Sequence, residues 1–151
     1  MFFTERRGAG MREQTTDNLE ELRKGKYGYA EDLYLACLNH NVSADYLLGL
    51  PKGLPFLNDK KQFVSEETEG TWRGIRKQIA TNLKIVRRSM GLKHGQVAEH
   101  LGFHRAFYIE YEIGRSSLLL SVLRQLCLYF NISADYILGL PKGLPYPDDE
   151  E

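Results

Sequence analysis

Residues 41–55 read NVSADYLLGLPKGLP, and residues 131–145 read NISADYILGLPKGLP. Thirteen of these fifteen positions are identical, and the two exceptions, Val42 against Ile132 and Leu47 against Ile137, exchange one aliphatic side chain for another. The copies lie 90 residues apart, and the likeness continues weakly upstream, where Leu33, Cys37 and Leu38 match Leu123, Cys127 and Leu128. A chain of 151 residues that carries one unit twice is organised as two copies of that unit. The first copy has 40 residues ahead of its repeat and must be the shorter one. The stretch 58–70 is polar and acidic and ends on Gly70, which is linker composition. The expected units are therefore 1–57, a linker at 58–70, a second domain at 71–144 and an acidic tail at 145–151.

The second unit reads as helical throughout. Trp72, Ile75, Ile79, Leu83, Val86 and Met90 recur at spacings of three and four, one apolar stripe on a helix that ends before Gly91. Arg73, Arg76, Lys77, Lys84, Arg87 and Arg88 fall largely off that stripe. Short helices are expected over 95–101 and 105–113, closed by Gly102 and Gly114, and a longer one over 118–129. Ser133 suits an N-cap for a last turn, Ala134–Leu138, which Gly139 and Pro141 end. No strand alternation stands out. In the first unit, Asp32–Leu38 reads as the apolar helix and Thr15–Lys26 as the helix before it.

Charge separates the two units. The chain holds 20 basic and 20 acidic side chains, a net charge of zero. Residues 71–144 nevertheless hold 11 basic and 4 acidic groups, and no acidic residue occurs from Thr71 to Ala98. An excess of this kind is a candidate surface for a polyanion.

The stretch His94–Ile113, HGQVAEHLGFHRAFYIEYEI, has the spacing of two short helices around a tight turn. Val97 and Leu101 point inward, Ala98 sits where only a small side chain fits, Gly102 opens the turn, Phe103 plugs it, and Tyr108 and Tyr111 face the core. A basic helix precedes this stretch, and an apolar helix with a Ser-Ala-Asp-Tyr-Ile-Leu-Gly ending follows it. Over Thr71–Leu140 this order resembles the phage-repressor (Cro-like, xenobiotic-response-element-type) helix-turn-helix family. Glu112 followed by Gly114, and the Ser-x-Asp-Tyr-x-Leu-Gly close, resemble its bacterial members.

The resemblance implies an all-α, five-helix lambda-repressor-like DNA-binding domain preceded by a truncated helical repeat. It implies a sequence-specific regulator of transcription, of bacterial or prophage type, that binds double-stranded DNA as a homodimer. The second motif helix would enter the major groove. His104, Arg105, Ala106, Phe107 and Glu110 would read bases, with Ile109 further along, and Arg105 suits guanine and Ala106 a thymine methyl. His94, Arg87, Arg88, Lys93 and Arg115 would meet phosphates, which position the protein rather than specify sequence.

The chain departs from the family at Gly95, where a polar side chain is usual, and at Phe107 and Ile109, where small polar residues or lysine are usual. These departures support an alternative: a protein-interaction module of the same fold, an antitoxin or co-regulator, that does not read DNA. The first copy points the same way. Only 14 residues precede Thr15, too few for the two helices that open such a domain. A half-domain leaves an apolar face, expected at Leu33, Cys37, Tyr46, Leu47 and Leu48, that must be covered by the second copy or by another chain. Phe56 and Tyr146 are expected over the helix that precedes each.

Other classes find little support. The two cysteines, Cys37 and Cys127, suit small buried hydrophobes rather than a disulfide framework or a four-thiolate zinc site. His40, His94, His100 and His104 lack metal-ligand spacing. No nucleophile–base pair, acid–base carboxylate pair or phosphate loop is present, so neither catalysis nor a cofactor or small-molecule ligand is expected. The apolar runs are too short to cross a membrane, and Met1–Arg7 lacks a signal-peptide core, which points to a cytoplasmic protein.

Overall fold

The structure, a computed structural model, describes residues 28–66 and 71–147. The readings of Met1–Arg7 and Thr15–Lys26, the end of the linker and the acidic residues 148–151 lie outside the described residues. Seven helices are present among them: α1 (Ala30–His40), α2 (Ala44–Leu47), α3 (Trp72–Ser89), α4 (His94–Leu101), α5 (Arg105–Glu112), α6 (Leu120–Phe130) and α7 (Ala134–Leu138). The fold is all-α, and α3–α7 are the five expected helices of the second unit. The only pairing of extended backbone among the described residues is a single antiparallel bridge, Tyr29 to Leu119.

α3 begins where the Thr71 hydroxyl accepts from the Gly74 amide, and it buries Ile75, Ile79, Leu83 and Val86. Trp72 and Met90, the ends of the expected stripe, stay exposed at the two ends of the helix. Two polar side chains also lie on the buried face. Asn82 donates to the carbonyls of Phe63 and Ile137, and Gln78 donates to Leu138 and accepts from the Ser65 amide. Gln62 in turn donates to the Tyr136 carbonyl at 3.0 Å. The segment 62–65, which falls within the expected linker, is therefore bound along α3 and α7 by the buried side chains of Gln78 and Asn82.

α1 and α6 end alike. Asn41 and Asn131, the first residues of the two repeats, both adopt left-handed backbone, with φ of 55° and 57°. Asparagine tolerates that conformation better than most side chains. Ser43 and Ser133 then cap α2 and α7, each hydroxyl accepting from the amide two residues on.

The two copies dock on one another through a pseudo-twofold arrangement. The Ala44 amide donates to Asp135 and the Ala134 amide to Asp45, each at 2.7 Å. The Ser43 hydroxyl donates to Asp135 at 2.8 Å and the Ser133 hydroxyl to Asp45 at 2.6 Å. The Ser43 amide reaches the Pro145 carbonyl and the Ser133 amide the Pro55 carbonyl, both at 2.8 Å. Leu33, Cys37, Leu47 and Leu48 are buried, and Tyr46 packs against the same core. The half-domain's apolar face is thus covered within the chain. Phe56 and Tyr146 differ from expectation: each crosses to the other copy. Phe56 meets Tyr136 and Tyr146 meets Tyr46, edge to face, with centroids 5.4 Å apart in both pairs.

Candidate nucleic-acid interface

α4 and α5 form the expected angled pair. Gly102 turns the chain between them at φ 78°, a conformation that other residues adopt at a cost, and the Phe103 amide closes the turn on the Ala98 carbonyl. Val97, Ala98 and Tyr108 are fully buried at the crossing, while Leu101, Phe103 and Tyr111 pack half-buried at its edge.

Glu112, at the last turn of α5, fixes this pair to α3. Arg87 clamps it with two bonds, from Nε at 2.6 Å and from a terminal nitrogen at 3.0 Å. The Tyr108 hydroxyl donates to it at 2.6 Å, and His94 Nε2 lies 3.2 Å from its second oxygen. Arg87 also donates to the Leu92 carbonyl at 2.8 Å, which holds the loop before α4. The Glu112 hydrogen bond raises the pKa of Arg87 against the opposing effect of burial. Burial and then the Glu112 charge push the Tyr108 hydroxyl far above its usual range, so it remains a donor.

This network changes the expected set of phosphate contacts. Arg87 is buried, only 6% exposed, with its guanidinium committed to Glu112 and Leu92. Its place is structural, because Glu112 draws it inward along the face that carries Leu83 and Val86. His94 is half-buried and spends one ring nitrogen on the same carboxylate. Arg88, Lys93 and Arg115 stand exposed around the pair, Arg115 beside Glu110 at 3.7 Å.

The expected reading residues occupy the N-terminal half of α5. His104 is its N-cap, with Nδ1 accepting from the Ala106 amide at 3.1 Å. An accepting Nδ1 carries no proton, which leaves Nε2–H as the outward donor. Arg105, Ala106 and Phe107 follow, all exposed, Phe107 at 65% and set edge-on to the His104 ring. Ile109 and Glu110, a turn further on, are half-buried. Gly95 faces this row: a Cβ there would meet the Arg105 side chain at 3.8 Å, so the arginine stem lies against the start of α4.

Sequence reasoning found the exposed row but missed the hub beneath it. The available signal was register: Arg87 lies four residues beyond Leu83 and beside Val86, on the buried edge of the stripe. Gln78 and Asn82, one turn apart on the opposite edge of the stripe, carried the same kind of signal.

Residues 83–137 match the family model described as helix-turn-helix. The match covers about a third of the chain and takes in α4, the Gly102 turn and α5, the helix-turn-helix itself. No curated protein and no solved structure matches the chain.

Proposed function

We propose that this protein is a sequence-specific regulator of transcription, of bacterial or prophage type, that works in the cytoplasm without catalysis and reads duplex DNA with α5. One observation carries the reading. The first turn of α5 presents His104, Arg105, Ala106 and Phe107 to solvent, with the cations Arg88, Lys93 and Arg115 exposed around it and the helix anchored from behind through Glu112. Arg105 is the base-reading cation, suited to the acceptor pair of guanine. Arg88, Lys93 and Arg115 take the phosphates. Among the described residues, no helix is long and apolar enough to cross a membrane.

Fluorescence anisotropy tests this with the duplex upstream of the protein's own gene and a scrambled control, across a salt series. Affinity should fall steeply with salt for both duplexes, and the slope should count the phosphates contacted. The double substitution Arg88→Glu and Lys93→Glu should weaken both duplexes together while leaving the fold intact, because both side chains are exposed. The exposed Phe107 favours a second reading, a protein-binding face on α5. Absence of binding to either duplex at low salt would select it over DNA recognition.

A further inference from the structure

We infer that the first copy acts as a tethered substitute for a second chain: it covers a face of the helix-turn-helix domain that is built to pair with its own copy. The argument rests on the 90-residue offset. The capping and proline contacts across the pseudo-twofold each have a partner contact displaced by 90 in both residues, whereas the Tyr146 hydroxyl, which donates to the Leu50 carbonyl at 2.6 Å, has none because its counterpart is Phe56. Ser43 with Asp135 answers Ser133 with Asp45, and Ser43 with Pro145 answers Ser133 with Pro55. The ring contacts obey the same rule, and so do the two cations: Lys52 lies over the Tyr146 ring at 5.9 Å and Lys142 over the Phe56 ring at 5.8 Å.

In an isologous interface residue i meets j while j meets i, so one surface suffices for both sides. The near-identity of 41–55 and 131–145 means that residues 131–146 hold nearly all the donors, acceptors and rings needed on either side. A second helix-turn-helix domain could therefore supply the contacts that the first copy supplies now. The departures fall where the surroundings differ. Gln78 takes the Leu138 carbonyl, whereas Arg124 takes its counterpart at Leu48. In place of the homodimer expected from sequence, the native chain is a monomer whose pairing face is filled from within.

Sedimentation equilibrium of the full-length chain tests this, with hydrogen exchange of α1 as a second readout. The wild type should sediment at its chain mass of 17.4 kDa, with α1 protected. Leu47→Arg places a charge in the buried face of the first copy, and Ser43→Ala with Asp45→Ala removes that copy's side-chain share of the polar contacts without a new charge. Either variant should expose α1 to exchange and shift the mass to twice the chain value as concentration rises. Adding Asp135→Ala should return it to the single mass.

Three results would overturn the inference. One is a variant with α1 unprotected that stays at single mass while circular dichroism shows the remaining helices folded. Another is α1 still protected in both variants, because Ser43, Asp45 and Leu47 would then not hold the first copy in place. The last is a wild-type dimer that Asp135→Ala dissociates, which would mean that the face pairs between chains already.

Discussion

Single residues here divide between those that hold α5 and those it presents. Glu112 belongs to the first group: its carboxylate is 1% exposed and receives Arg87, Tyr108 and His94. Removing one member of a buried ion pair strands the other, which costs about 3–5 kcal/mol. Glu112→Ala should therefore lower unfolding stability by about that amount, read by urea denaturation, and Arg87→Met should cost similarly by stranding the carboxylate. Arg105 belongs to the second group. Arg105→Ala should leave the urea midpoint unchanged, yet discrimination at one base position should fall by about 1–3 kcal/mol, measured against single-base operator variants. Glycines make a sharper contrast. Gly139 and Gly143 both sit at positive φ, 83° and 90°, but a Cβ at Gly139 would lie 2.1 Å from Gln78 Nε2 and one at Gly143 would meet nothing within 4 Å. Gly143→Ala should cost only the backbone strain, about 1–2 kcal/mol. Gly139→Ala should cost clearly more, since Gln78 would also have to give up the Leu138 carbonyl and the Ser65 amide.

Among the elements, α2 and α7 are the ones that sequence alone made least legible. Their existence was plain: Ser before Ala-Asp-Tyr and Gly after Leu mark the start and end of a single turn. The helical stripe of α3 and the Gly102 turn were equally plain, because period and turn chemistry are local properties. That the capping residues work across the molecule was not readable. Asp45 and Asp135 each satisfy the first amide of the other copy's helix, and no local rule announces a partner some 90 residues away. The same limit hid Glu112 as Arg87's partner, 25 residues away, and placed the arginine wrongly among the phosphate contacts. The cross-caps carry a titration signature. Burial, then the Asp45 charge, raises Asp135 to about 6, against the hydrogen bonds from Ala44 and Ser43 that act to lower it. Asp45 is raised as well, again by burial first. A carboxylate raised on folding binds more protons in the folded than in the unfolded chain, so its contribution to stability is full below its unfolded pKa near 3.8 and is lost as pH rises through about 6. Between pH 4 and 6.5, the wild type should lose about 2 kcal/mol relative to Asp135→Asn, which cannot titrate there. Paired urea titrations across that range measure the difference directly, and a flat difference would show that Asp135 is ionised in the fold throughout.

At the scale of the whole molecule, the seven described helices assemble one helix-turn-helix head and a second half whose described helices mirror its C-terminal part. A repressor-like fold ordinarily reads symmetric sites because two identical heads are related by a twofold axis, and half-site spacing follows from the dimer's geometry. Here the axis is a pseudo-twofold within one chain, relating α6 and α7 to α1 and α2. In the first copy, α1 and α2 are the described counterparts of α6 and α7. If the first copy fills the pairing face, the operator has no reason to be palindromic. One chain should bind one duplex, with a footprint confined to the major-groove face that α5 contacts. Titration at concentrations well above Kd should break at one protein per duplex, and halving a mapped operator about its centre should leave affinity unchanged on the half that holds the contacted bases. A break at two proteins per duplex, with protection repeating one helical turn away, would require a second head. Among the described residues, α5 of another chain is the element that could supply one, and it would double the protein mass on the DNA.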